Sequence, residues 1–183
     1  MRTRKGQASF EFLSTYAWIL MVIAVTAGAL IYFDVFNVDK YLQQECEFGQ
    51  NILCTEHNVI KSTPLTFEMN LYLRNNLEKS IVPVSATMYD DQFASATCEE
   101  YFLYCPNLNP VANWSADLTG IFTPVVGDGG KWTPGRLCRF QATGCELDLN
   151  SGSKETLKVS LEFQRFGGSN THTIIGRVFS AVQ

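Results

Sequence analysis

Hydrophobic and polar positions change their rhythm along this chain. Residues 12–33 carry no charge and no proline, a run of 22. At about 1.5 Å per residue such a helix reaches about 33 Å, enough for a hydrocarbon core of roughly 30 Å. Val35, Val38 and Leu42 keep helical spacing beyond it, so the helix is expected to continue. From residue 65 the period drops to two. Leu65, Phe67, Met69, Leu71 and Leu73 alternate with polar positions, Arg74-Asn75-Asn76 signals a turn, and residues 81–88 form the expected partner strand. Pro83 requires that partner to be an edge strand or a bulged one. Later, Leu157, Val159, Leu161 and Phe163 alternate with polar residues. Gly167-Gly168-Ser169-Asn170 turns the chain, and residues 173–182 return with Ile174, Val178 and Val182 on one face. Two hairpins with one apolar face each predict a sandwich-like head or a curled antiparallel sheet. Residues 90–136 are rich in Pro, Gly and Asn and hold Tyr101, Tyr104, Trp114, Phe122 and Trp132. These aromatics are expected to pin a long loop onto its sheet rather than to form a carbohydrate patch. The expected fold is therefore α+β: a long N-terminal hydrophobic helical stalk followed by an antiparallel β-rich globular head.

Arg2, Arg4 and Lys5 precede the apolar run, and Asp34 and Asp39 follow it. This bias keeps the N-terminus cytoplasmic and sends the rest outside. Three readings of the start compete. A secretory signal peptide would be cut at a small-x-small triplet such as Ala27-Gly28-Ala29, yet Leu30-Ile31-Tyr32-Phe33 stay apolar where a cleavage region turns polar. A permanent signal anchor agrees with the hydropathy. It has no use for Glu11, a lone carboxylate at the edge of the run, which costs free energy there unless it has a partner. The third reading uses that carboxylate. The seven residues Lys5-Gly6-Gln7-Ala8-Ser9-Phe10-Glu11, followed by Phe12, resemble the start of archaeal prepilins, precursors of type IV pilus-like filament subunits. Such prepilins carry a short Lys/Arg leader ending in Gly, then Gln, then a Ser and a Glu-Phe pair at fixed offsets. Bacterial minor pilin-like proteins of tight-adherence systems share the Gly-Gln-Ala start and the Glu-Phe pair, while Gln7 and Ser9 lean toward the archaeal group. The resemblance covers about the first 35 residues.

The resemblance implies that a membrane aspartic prepilin peptidase cuts between Gly6 and Gln7. Glu11 then becomes the fifth residue of the mature subunit, and Glu11 and Phe12 serve assembly. In similar pilins this glutamate pairs with the N-terminal amine of a neighbouring subunit. The pairing is physically sensible, because an ammonium and a carboxylate are each costly in an apolar bundle and less so together. The implied domains are a cleaved basic leader (1–6), a hydrophobic stalk or transmembrane helix (7–45) and an extracellular head (46–183). The implied protein is a major or minor pilin, a single-pass membrane precursor that ends in a surface filament serving adhesion. Its partners would be other subunits in a homo-oligomeric helical filament, the prepilin peptidase and, before assembly, the membrane. The competing function is a membrane-anchored extracellular binding protein that never polymerises.

Charge and cysteines narrow this further. The formal net charge is −4; without residues 1–6 it is −7, from 11 basic and 18 acidic residues. An acidic head argues against nucleic-acid binding. Cys46, Cys54, Cys98, Cys105, Cys138 and Cys145 all lie beyond the apolar run, and their even number predicts disulfides in an oxidising compartment. Local pairs 46–54, 98–105 and 138–145 are the first expectation among fifteen connectivities, each loop contributing about 2.5 kcal/mol in the chain-entropy picture. Zinc is the alternative, since Cys54-Thr55-Glu56-His57 offers one Cys-x-x-His step, though without an evident second half. Asn113-Trp114-Ser115 is the single glycosylation sequon, placed by Pro110 in an expected loop, so Asn113 is a candidate glycan acceptor. No enzyme and no cofactor are expected. His57 and His172 sit in no metal-binding pattern. Asp90-Asp91 and Glu99-Glu100 are expected to be solvated pairs rather than an acid/base dyad. Asp128-Gly129-Gly130 is turn chemistry that lacks the alternating acidic ligands of a calcium loop, and neither a phosphate-cradling loop nor a nucleophile elbow is present.

Overall fold

The computed structural model describes residues 5–33, 43–63, 65–92, 94–106, 112–125, 130–147, 149 and 152–183, with backbone alone for residues 5–15 and 112. The chain divides into two units, residues 1–42 and residues 43–183. In the first, helix α1 (Lys5–Tyr32) spans 28 residues and closes with the Phe33 N–H donating to the Ala29 carbonyl at 2.9 Å. The expected continuation through Val35, Val38 and Leu42 lies outside the described residues.

In the second unit the described residues form β1 (Glu45–Glu47), β2 (Ile52–Lys61), β3 (Thr66–Asn75), β4 (Ile81–Tyr89), β5 (Ser95–Ala96), β6 (Glu100–Cys105), β7 (Ala112–Ala116), β8 (Thr123–Pro124), β9 (Leu137–Glu146), β10 (Lys154–Arg165) and β11 (Thr171–Ala181). One sheet runs β1-β11-β10-β4-β5 and the other β2-β3-β9-β6-β7-β8, with each neighbouring pair of strands antiparallel. Period-two patterning fills the space between the sheets. Phe67, Met69, Leu71 and Leu73 of β3 meet Leu157, Val159, Leu161 and Phe163 of β10 in one buried cluster that also takes Phe140, Trp114 and Trp132. Leu65 shares the sequence pattern but precedes β3 and is 69% exposed.

The β10–β11 hairpin forms as its pattern predicts, from Lys154↔Ala181 to Gln164↔Thr171. The hairpin expected from residues 65–88 does not form. β3 pairs with β2 and β9, β4 pairs with β10 and β5, and the turn after Asn75 carries the chain from one sheet to the other. Each strand buries one face, and facing a partner across the core satisfies that as well as pairing beside it would. Asn75 fixes the crossover. It is fully buried, its Nδ2 donates to the Trp132 carbonyl at 2.9 Å and the Lys79 carbonyl at 3.3 Å, and its Oδ1 accepts from the Leu77 N–H at 2.9 Å. Glu162 faces Ser85 and Phe163 faces Pro83, so Val84 is an extra residue and β4 is bulged beside its proline.

The strand edges are largely covered. Along β4, the Ala86 N–H donates to the Gly120 carbonyl, the Phe122 N–H to the Val84 carbonyl, and Ile81 and Trp132 exchange two bonds. Along β2, the Lys61 N–H donates to the Gln183 carbonyl and the Gln183 N–H to the Val59 carbonyl. The outermost strands β1, β5 and β8 are two or three residues long. Short and covered edges offer little template for strand addition.

Two expectations are corrected here. Among the described residues the fold is mostly β, two antiparallel sheets with a single helix, and not a long helical stalk carrying a head. Among the described residues no helix is long and apolar enough to cross a membrane, so the single-pass membrane precursor is not supported.

Candidate functional site

Helix α1 presents apolar side chains on every side. Trp18 is 66% exposed and Ile31 69%, and the consecutive residues Ile19, Leu20, Met21, Val22 and Ile23 are all exposed. The one hydroxyl in the middle of this surface, Thr26 Oγ1, turns back to the Val22 and Ile23 carbonyls at 2.9 Å each and so shows little polarity outward. A helix that is apolar all round is stable when something apolar covers it. Gly6, Gln7, Glu11 and Phe12 belong to the first turns of α1 by backbone. Their side chains, and Arg2 and Arg4 of the leader, lie outside the described residues.

The six cysteines form three disulfides, Cys46–Cys54, Cys98–Cys145 and Cys105–Cys138. The local pair 46–54 stands; the pairs 98–105 and 138–145 are corrected. Strands β6 and β9 lie side by side, with Tyr104 opposite Arg139 and Glu100 opposite Thr143. Cysteines at both ends of this pairing close a two-rung ladder. An odd spacing of seven would normally turn Cys138 and Cys145 to opposite faces. A bulge on β9 between Ala142 and Cys145, with Gly144 at φ +60°, restores the parity and aims both into the core. The six residues between Cys98 and Cys105 equal the six between Cys138 and Cys145. That match was the available signal for an antiparallel ladder.

The remaining disulfide sits elsewhere. Cys46 belongs to β1 and Cys54 to β2, so their bond ties the two sheets together at one side. His57, also on β2, hydrogen-bonds the Phe179 backbone of β11, and burial holds its pKa below the ordinary imidazole value against that opposing bond. Its Nε2 is buried and has no hydrogen-bond partner. One ring nitrogen of His57 and both sulfurs lie within 4.8 Å of one another. Cys54 and His57 are three apart, an odd spacing that a regular strand would place on opposite faces. Thr55 is an extra residue in the β2–β3 register, and that bulge brings both side chains to one face.

The sequon is in a strand and not in the expected loop: Asn113 and Ser115 of β7 pair with Tyr104 and Phe102 of β6. Asn113 Oδ1 is buried without a partner. It lines a depression of about 310 Å³ with Phe102, Tyr104, Val125, Arg139 and Gln141. Arg139 and Gln141 are already engaged, with Asn70 Oδ1 and Glu68 Oε1. Of the five loop aromatics, Tyr101, Trp114, Phe122 and Trp132 are core residues and Tyr104 alone is exposed. Glu99 and Glu100 are both exposed, and Asp91 pairs with Lys158 at 3.2 Å. Pro64, Pro110 and Asp128 lie outside the described residues.

No protein-family model and no curated protein matches the chain. A solved structure described as the X-ray structure of Northeast Structural Genomics Consortium target SoR45 is similar over 80% of this chain and 89% of its own, at 11% identity and a TM-score of 0.34.

Proposed function

We propose that the chain is a structural subunit, major or minor, of an archaeal type IV pilus-like surface filament, cut between Gly6 and Gln7 and assembled through α1. The observation that carries this reading is the exposed apolar surface of residues 16–32 of α1. Copies of this helix bundled together cover one another's apolar sides, which stabilises the assembly at about 25 cal/mol per Å² of apolar area removed from water. The bond between Gly6 and Gln7 falls in the first turn, whose N–H groups lack intrahelical acceptors, so a peptidase meets a helix end that opens readily. Three disulfides suit a head exposed to an oxidising exterior. There the head would cover the filament and serve adhesion. Use of Asn113 as a glycan acceptor requires modification before β7 pairs with its neighbours.

The test is the mature N-terminus of protein sheared from cells, read by mass spectrometry. A peptide beginning at Gln7 supports the filament subunit. A chain that keeps Met1 or Arg2 overturns it. A companion variant, Glu11→Ala, should be exported normally and incorporate poorly into filaments; normal incorporation removes the charge-pairing role.

A further inference from the structure

The seam where Cys46, Cys54 and His57 meet does more than tie two sheets. A plain disulfide staple needs no histidine aimed at it, and a core histidine ordinarily satisfies both ring nitrogens. Here one nitrogen is engaged with the Phe179 backbone and the other, Nε2, is buried without a partner. The Thr55 bulge turns Cys54 and His57 to the same side. The second half that the Cys-x-x-His step lacked in sequence is supplied by Cys46, carried in on β1.

We propose that Cys46, Cys54 and His57 form a redox-gated site for a borderline-soft divalent cation such as Zn²⁺, closed as the disulfide and open as a two-sulfur, one-nitrogen site when reduced. A dithiol supplies the two electrons: its thiols become a disulfide while the Cys46–Cys54 bond breaks to give two thiols. Binding the cation then releases both thiol protons to solvent, and His57 coordinates as the neutral imidazole. Ligand atoms around zinc sit roughly 3.4–3.8 Å apart. The three groups already lie within 4.8 Å, on Cα atoms 5.8 Å apart for the cysteine pair, so reduction needs only to let the sulfurs separate. Water fills the fourth position. Selectivity comes from burial. Cys46 and Cys54 are half-buried, whereas Cys98, Cys105, Cys138 and Cys145 are in the core, out of reach of a mild reductant. A core held by the other two disulfides keeps the fold while this one opens.

The experiment uses the full chain in detergent, oxidised or briefly treated with a water-soluble phosphine in place of the dithiol and then desalted. Cobalt(II) is titrated first, for its thiolate charge-transfer band, and zinc displaces it. The expected result is one-to-one binding by the reduced chain and none by the oxidised chain. Thiol mapping should find only Cys46 and Cys54 free. His57→Ala should weaken binding on the order of 100-fold, the share of one ligand in a zinc site. His172→Ala should leave affinity unchanged, and a Cys46→Ser/Cys54→Ser chain should fold without binding. The proposal is overturned if the reduced chain binds no better than that double-serine chain, or if His57→Ala binds as tightly as the parent. It is overturned as well if a core disulfide opens first or if reduction abolishes near-ultraviolet circular dichroism.

Discussion

The two-rung ladder between β6 and β9 makes a quantitative prediction that local pairing does not. Cys98–Cys145 and Cys105–Cys138 close loops with sequence separations of 47 and 33. Taken singly, loops of that size remove about 4 and 3.7 kcal/mol of unfolded-state entropy. They are nested, so they do not add fully. With Cys105–Cys138 in place, Cys98–Cys145 closes only a ring of about 16 residues, contributing about 3 kcal/mol. Cys98→Ala/Cys145→Ala should therefore cost about 3 kcal/mol, and removal of both rungs about 7 kcal/mol, against about 5 kcal/mol for two independent local loops. At about 3 °C per kcal/mol for a unit of this size, losing one rung lowers the melting temperature by about 9 °C. Peptide mapping of the unreduced protein decides the connectivity directly. Trypsin has sites after Lys79, Lys131, Arg136, Arg139 and Lys154 and none between Cys98 and Cys105. The ladder releases peptides 80–131, 137–139 and 140–154 as one linked species, which a further cut after Phe102 resolves into its two rungs. Peptide 80–131 leaving by itself would refute the ladder and with it the β6–β9 register.

Further tests address single residues. Asn75→Ala removes the side-chain bonds that hold the crossover and leaves the half-buried Leu77 N–H short of an acceptor. It should cost about 2–4 kcal/mol, seen as a lower urea midpoint at unchanged slope, while Asn76→Ala, which loses one exposed bond to the Gln50 carbonyl, should stay within about 0.5 kcal/mol. Gly120→Ala drives a Cβ into the Ala86 carbonyl oxygen at φ +69°, so thermal unfolding should show a loss of about 2–4 kcal/mol. Hydrogen bonds from the Thr119 side chain and backbone hold the Asp117 carboxyl below its ordinary pKa. That stabilisation is present above the unfolded carboxylate pKa and is lost as pH falls through the folded one. Carboxyl titration by NMR should show the depressed midpoint, and Thr119→Val should move it up.

Legibility in the sequence followed the regularity of each strand. β3, β10 and β11 alternate without interruption and stand out at once. β2 and β9 do not, because Thr55 and the Thr143-Gly144 step each insert a residue that reverses the alternation. Those same insertions build the chemistry: one aims Cys54 and His57 together, the other aligns the disulfide ladder. The sheet to which β3 and β4 belong was not legible either, since a buried face has the same period whether its partner lies beside it or across the core. Residues 90–136, rich in turn-forming residues, conceal β5 to β8, strands of two to six residues too short to show a period. The apolar run of α1 was plain in the sequence.

The two units carry opposite surfaces, and this bears on where the proposed assembly would originate. The β unit has one continuous core, three disulfides within its own chain segment, and edges that are mostly short or hydrogen-bonded, with β1 covering only residues 177–179 of β11. Among the described residues its sheet edges offer little template for strand addition. The helix has the reverse character: its backbone bonds are internal and the apolar side chains of residues 16–32 are exposed. If α1 drives association, a chain reduced to residues 43–183 should sediment as a monomer and melt cooperatively, while the full chain self-associates at the same concentration and disperses in detergent. Self-association of residues 43–183 would instead place the contact on the β-sandwich and remove the helix from the centre of the assembly.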